Sequence, residues 1–239
     1  MKNKIVLYSA IGIGILIVIT IVMVIVSKNK INSSKNTTTN LSTDSNEELI
    51  LNDAEKPYIN LIPQSDGHRL TLKITNIPQS ITEVEYDLIY SAQDEDLEIE
   101  KGVGGTAKIE GSSLERELLL GTESCTNGCK YKYDEGITGG TLTLNFTNND
   151  GKSALYEAPF VFKSSANINK DGGLSLKTEN LNIKASISSK NDYFILIKNY
   201  PEVYSIFSSG NGSGKVLSIT PETVTKENTN LVTGDYSIN

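Results

Sequence analysis

The sequence predicts an all-β protein carried on a membrane anchor: an N-terminal transmembrane helix, a polar stalk, an antiparallel β-sandwich and then a second small β domain. Three observations predict it. An unbroken apolar run extends from Ile5 to Val26. A Ser/Thr/Asn-rich stretch without apolar periodicity follows it. From about Lys56 onward apolar and polar residues alternate with period two, and turn residues interrupt the alternation at short intervals.

The apolar run holds no charged side chain, and as a helix it would extend about 33 Å, enough for the hydrocarbon core of a bilayer. Lys2 and Lys4 precede it; Lys28 and Lys30 follow. It is longer than the apolar region of a cleaved signal peptide, and Ser27-Lys28-Asn29-Lys30 offers no small-residue cleavage site. Residues 5–26 therefore read as an uncleaved signal anchor, with residues 1–4 as a cytoplasmic tail. Lysines at both ends leave the positive-inside rule undecided. The four-residue tail, the closely spaced cysteines and the Ser/Thr/Asn-rich β sequence place the body on the extracytoplasmic side of the cytoplasmic membrane. Residues 27–55 read as a disordered polar linker, because a stretch such as Asn32 to Asn40 cannot bury enough apolar surface to offset the entropy of ordering.

Charge narrows the partners. The chain has 22 basic and 29 acidic residues, but five lysines and no acid lie in the first 35 positions. The remaining 17 basic residues face all 29 acids, so the body carries about −12 while its stem is positive. A body of that sign is repelled by nucleic acid and anionic lipid, which excludes nucleic-acid binding. Apolar content of 38% is low, and the anchor holds much of it. Thin cores under short strands, each buried on one face, suit that composition.

The strands of the first block, residues 56–165, follow from the alternation. Leu70, Leu72 and Ile74 alternate with Arg69, Thr71, Lys73 and Thr75. Val84, Tyr86, Leu88 and Tyr90 alternate with Glu83, Glu85 and Asp87; Leu142, Leu144 and Phe146 alternate with Thr141, Thr143, Asn145 and Thr147. Each pattern sends one set of side chains into a core and the other into water. Shorter candidates are Tyr58–Ile62, Ala107–Glu110, Leu114–Leu120, Tyr131–Tyr133 and Leu155–Phe162, for roughly eight strands in all. Turn chemistry marks Ser65-Asp66-Gly67, Gly102 to Gly105, Gly139-Gly140 and Asn149-Asp150-Gly151. Pro159 cannot donate to a ladder, so its strand is expected to be an edge or bulged there. In the second block, residues 166–239, the apolar sets Leu174/Leu176, Leu181/Ile183/Ala185/Ile187, Tyr193/Ile195/Ile197, Val203/Ser205/Phe207, Leu217/Ile219 and Tyr236/Ile238 predict six or seven short strands. The alternative is that they complete one larger sandwich.

Cys125-Thr126-Asn127-Gly128-Cys129 is the sharpest local motif. Asn127-Gly128 favours a tight turn, and cysteines on opposing arms of a hairpin come within disulfide range. A metal pair would lack two further ligands, and a redox pair usually has two spacers rather than three, so a structural disulfide in an oxidising compartment is the favoured reading. Tyr131 and Tyr133, at i and i+2 beside it, are candidates for a small aromatic platform, against ordinary strand packing. Asn127, Tyr131 and Tyr133 are the candidate contact site. His68 reads as an exposed turn histidine without a nucleophile motif beside it. Asn167, Asn169 and Asp171 resemble the first half of a calcium loop, but position twelve is Thr178 and Glu179 comes one residue late. A plain turn outweighs a metal site there. Ser209 to Val216 lacks both the first glycine and the Ser/Thr of a phosphate loop.

The runs Leu70-Thr71-Leu72-Lys73-Ile74, Val84 to Tyr90 and Thr141 to Phe146 resemble those of the broad immunoglobulin/fibronectin-type sandwich class on bacterial surfaces. The resemblance covers about Lys56 to Lys163. The anchor-plus-stalk layout, with Leu120-Gly121-Thr122-Glu123-Ser124-Cys125, resembles single-pass membrane-anchored bacterial proteins of uncharacterised role. It implies a fold and an address, and no activity.

The expectation is a non-catalytic binding, adhesion or envelope-assembly module without a cofactor. It is held in the bilayer through residues 5–26 and partnered by another envelope or surface protein. A small-ligand or calcium-binding surface domain is the alternative; a hydrolase on the β scaffold is the third reading.

Overall fold

The computed structural model describes residues 48–52, 55–167, 173–200, 203–226 and 232–238. The predicted span 5–26 and most of the linker lie outside them; among the described residues no helix is long and apolar enough to cross a membrane.

The protein is all-β, and every strand pair is antiparallel. The first half supplies β1 (Tyr58–Pro63), β2 (Arg69–Thr75), β3 (Ile81–Asp94), β4 (Leu97–Lys108), β5 (Leu114–Leu119), β6 (Gly121–Cys125), β7 (Cys129–Tyr133), β8 (Glu135–Asn148) and β9 (Ser153–Ser164). After a single 3-10 turn, Ser165–Asn167, come β10 (Gly173–Lys177), β11 (Asn182–Ile187), β12 (Tyr193–Tyr200), β13 (Val203–Ser208), β14 (Gly214–Thr220), β15 (Val224–Thr225) and β16 (Gly234–Ile238). They form one eight-stranded sheet, β15-β16-β13-β12-β9-β8-β3-β4, two three-stranded sheets, β1-β2-β5 and β10-β11-β14, and the free hairpin β6-β7. The large sheet crosses position 166 without a break, because β9 pairs with β12 from Phe160↔Ile197 to Ser164↔Tyr193.

Two cores lie on opposite faces of this sheet. The first is built from Ile59 and Leu61 of β1, Leu70, Leu72 and Ile74 of β2, Val84 and Leu88 of β3, Leu142 and Leu144 of β8, and Phe160 and Phe162 of β9. The second joins Leu174, Leu176, Ile183 and Ala185 of β10 and β11 to Tyr204, Ile206 and Tyr236 of β13 and β16. β12 belongs to both. Ile195 and Ile197 enter the first core, while Phe194 and Leu196 enter the second. Its run Phe194-Ile195-Leu196-Ile197 is buried throughout, the unbroken apolar signature of a strand covered on both faces. A period-two reading takes Tyr193, Ile195 and Ile197 alone and so sees one core face where there are two.

Two predicted turns are strand interiors. Gly102 to Gly105 lie within β4, and Gly139-Gly140 within β8. A Cβ at Gly140 would stand 2.0 Å from the Ile89 carbonyl, and one at Gly104 2.7 Å from the Tyr86 carbonyl. Glycine here marks close backbone approach to β3, not a reversal of the chain. The turns at Ser65–Gly67 and Asn149–Gly151 are reversals, as expected. Pro159 sits in β9 one residue before β12 begins to pair; at the start of β9 that edge carries a parallel bridge to Glu48, with Leu49 N donating to Ser153 O at 2.8 Å, and the β8–β9 register runs through Pro159 without a bulge.

A buried polar staple fastens β1 to the large sheet. Asn199 of β12 is 3% exposed. Its Oδ1 accepts from Ile59 N at 2.8 Å, and its Nδ2 donates to Ile59 O at 2.9 Å and to Ser205 Oγ at 2.8 Å. Ser205 donates to Asp235 at 2.6 Å, and Tyr58 donates to the same carboxylate oxygen at 2.5 Å. The amide acts as a one-residue strand for the edge of β1. Asn199→Ala strands both polar groups of the Ile59 peptide in a dry site, where each unsatisfied group costs roughly 1–3 kcal/mol. Chemical denaturation should show a loss of about 3 kcal/mol; a loss under about 1 kcal/mol contradicts the staple.

Candidate functional site

The free hairpin grows from the junction between β5 and β8. Leu120, fully buried, donates its N–H to His68 O at 2.8 Å, and its own carbonyl accepts from Asp134 N at 3.0 Å. Asp134 is held from below by the Tyr90 hydroxyl at 2.8 Å, with Lys101 Nζ 3.8 Å away. Burial, and then the Asp134 carboxylate, push the Tyr90 phenol far above its ordinary range, so it stays a proton donor.

Above this base the pairs are Gly121↔Tyr133, Glu123↔Tyr131 and Cys125↔Cys129 on one face, with Thr122↔Lys132 and Ser124↔Lys130 on the other. Cys125 and Cys129 are joined by a disulfide, Cα–Cα 4.1 Å, around a three-residue loop. Gly128 takes the left-handed conformation there (φ 97°), the residue type such a loop favours at that place. Asn127 stands exposed at the tip.

Tyr131 and Tyr133 do make an aromatic surface, and the structure adds residues to it that are distant in sequence. The rings of His68 and Tyr133 stack at 4.1 Å between centroids, and Tyr131 and Tyr133 lie 6.0 Å apart; each pair is parallel within 8°. His68 is thus half-buried against Tyr133 rather than an exposed turn residue. The Arg69 guanidinium carbon lies 5.2 Å from the Tyr131 ring centre and 5.7 Å from that of Tyr133. Asp66 at 2.7 Å and Glu117 at 3.1 Å hold the guanidinium in place, and Gln64 donates to Glu117 at 2.9 Å. The result is a short row of rings flanked by a fixed cation, with Tyr131 44% exposed at its outer end. Glu123, opposite Tyr131 across the hairpin, raises the Tyr131 phenol above its ordinary value by hydrogen bond and charge. A polar cleft of about 520 Å³ opens beside the hairpin base, bounded by Asp94, Glu95, Lys101, Lys132, Asp134 and Glu135.

Chemically this surface can present aromatic edges, two phenol hydroxyls and an oriented guanidinium to a partner. Tyrosine and arginine are the residue types that dominate binding hot spots. Glu123 with Cys125 and Cys129 is the one group of metal-ligand type among the described residues, and the disulfide consumes both sulfurs. Asn169 and Asp171, of the predicted calcium loop, lie outside the described residues; Asn167 closes the 3-10 turn. No protein-family model, curated protein or solved structure matches the chain.

Asp66 gives the site a pH dependence. Desolvation opposes its ionisation, but the His68 backbone N–H at 2.9 Å and the Arg69 guanidinium outweigh it, and the carboxyl lies below its ordinary 3.8. A folded-state value below the unfolded one stabilises the fold fully above pH 3.8, and the contribution fades as the pH falls through the folded value. Asp66→Asn should therefore lower the thermal midpoint at pH 7, and the gap from the parent protein should narrow progressively as the pH falls below 3.8. A gap that stays constant as the acid titration proceeds contradicts the assignment.

Proposed function

We propose that this chain is a non-catalytic recognition module, tethered by residues 5–26 to a membrane with its body on the extracytoplasmic side. The β6-β7 hairpin is its contact site for another envelope or surface protein. The observation that carries the reading is the aromatic row His68–Tyr133–Tyr131, ordered by Arg69 yet lying on an exposed, disulfide-pinned hairpin. A pinned loop loses little conformational entropy on binding, so its exposed rings convert contact into affinity efficiently. The disulfide agrees with an oxidising compartment, and the charge of the body agrees with a partner other than nucleic acid or anionic lipid. Two sheets packed across the first core, β1-β2-β5 and the large sheet, are consistent with the sandwich class that the sequence resembles; of the strands after Ala166, β12, β13, β15 and β16 extend the large sheet and β10, β11 and β14 cover its other face.

In-cell cross-linking with mass spectrometry, combined with protease treatment of intact cells, tests this directly. The body should be cleaved on whole cells, and cross-links should concentrate on Lys130 and Lys132 of the hairpin. The Tyr131→Ala/Tyr133→Ala variant should lose those cross-links by tenfold or more while keeping its β-sheet circular dichroism, a typical hot-spot loss of about 2 kcal/mol or more. Protection of the body on whole cells with digestion after lysis sinks the topology. Unchanged cross-links in the double variant sink the contact site.

A further inference from the structure

β4 is the outermost strand of the large sheet, paired to β3 on one side and, among the described residues, to no strand on the other. Its twelve residues follow β3 from Glu83↔Lys108 to Asp94↔Leu97 without a register shift. Ile109 N donates to Thr82 O at 2.9 Å, in line with that register, and this sets the phase of the ladder. Odd-numbered β4 residues bond to β3. Glu98, Glu100, Gly102, Gly104, Thr106 and Lys108 turn their N–H and C=O groups to the open edge, and all six are exposed.

Sheet proteins usually guard such an edge with proline, a bulge, short length or a charge aimed inward. β4 has no proline and no bulge, and the middle of its edge is Gly102-Val103-Gly104-Gly105, where no bulky side chain on the edge-facing positions resists another backbone. Among the edge-facing positions the charges lie toward the ends, with Glu98 and Glu100 at one and Lys108 at the other; Lys101, in the middle, is bonded to β3.

We propose that β4 is a self-association edge that pairs antiparallel with β4 of a second copy of this chain, about a two-fold axis at Val103. The ladder phase requires bonded pairs between even-numbered residues. Centred on Val103, Glu98 faces Lys108 of the second copy, Glu100 faces Thr106, and Gly102 faces Gly104. The two-fold repeats each pair, giving about a dozen backbone hydrogen bonds and two opposite-charge pairs. Moving one strand by two residues shortens the ladder from six bonded pairs to five: in one direction Glu100 faces Lys108 but Glu98 runs past the strand to Glu110, and in the other Lys108 runs past it to Asp96. Ladder length and hydrogen-bond phase therefore select the register that sets Glu98 opposite Lys108 at both ends, and the strand is complementary to itself in the way a two-fold interface requires. The aromatic row of the hairpin site lies on other strands, and the β4 residue beside its base, Lys101, is bonded to β3 and not at the open edge, so this interface stands or falls independently of that site.

The test is the mass of the full chain in detergent micelles, by sedimentation equilibrium over a wide concentration range. The parent protein should dimerise. Glu98→Lys alone, or Lys108→Glu alone, places like charges opposite each other twice and should weaken the dimer about tenfold or more. An equimolar mixture of the two single variants should form a heterodimer, and the Glu98→Lys/Lys108→Glu double variant should recover the parent's affinity. Thr106→Pro removes an edge donor without touching the β3 ladder and should also weaken association. A parent protein that stays monomeric throughout, or single variants that dimerise as well as the parent, overturns the proposal.

Discussion

The structure depends on β12 being buried on both faces. A strand in a one-core sandwich hides every second residue; β12 hides Phe194, Ile195, Leu196 and Ile197 in succession. Full burial of each such side chain is worth roughly 1.5–3 kcal/mol, so four consecutive ones make this strand a dense source of driving force in a chain of low apolar content. Its neighbours repeat the division. Phe160 and Phe162 of β9 face the first core and Val161 the second; Phe207 of β13 packs on the first while Tyr204 and Ile206 enter the second. The two small sheets therefore cover opposite faces of one large sheet and overlap where β9, β12 and β13 lie together.

That arrangement fixes what the rest of the molecule can present. Beyond the overlap, the second face of β3, β4 and β8 is open and polar, with Glu85, Asp87 and Thr143 along it. On the first face, β1 needs a fastening because β12 itself is already paired to β9 and β13; the Asn199 side chain supplies it. The same packing plants Leu120 and Asp134 at the base of the β6-β7 hairpin, so the aromatic row stands on a rigid foundation although nearly all of the hairpin is in solvent. Order in that row comes from Arg69 and its two carboxylates, and from the stack on His68, more than from burial.

Much of this was legible in the residues. Alternation located β1, β2, β3, β5, β8 and β9, and the Cys125–Cys129 spacing located the hairpin with its bridge. Tyr131 and Tyr133 were legible as candidates because i, i+2 residues share a face. What escaped has physical causes. Consecutive apolar residues in β12 carry both phases at once, so a period-two template fits one phase and discards the other. Gly102 to Gly105 and Gly139-Gly140 look the same in sequence whether the chain turns or another backbone passes close by; only the neighbour, β3, decides. His68, Arg69 and Glu117 reach the hairpin through strand pairing across dozens of residues, and no local pattern signals that meeting.

Native-state hydrogen exchange on the full chain tests the shared strand most directly, comparing the parent with Leu196→Ala. Leu196 points only into the second core, but coupling through β12 predicts that the amides of β2 and β8, which line the first core, lose protection together with those of β11. If only β10, β11 and β14 exchange faster while the first core keeps its protection, the two cores are independent and the account is wrong.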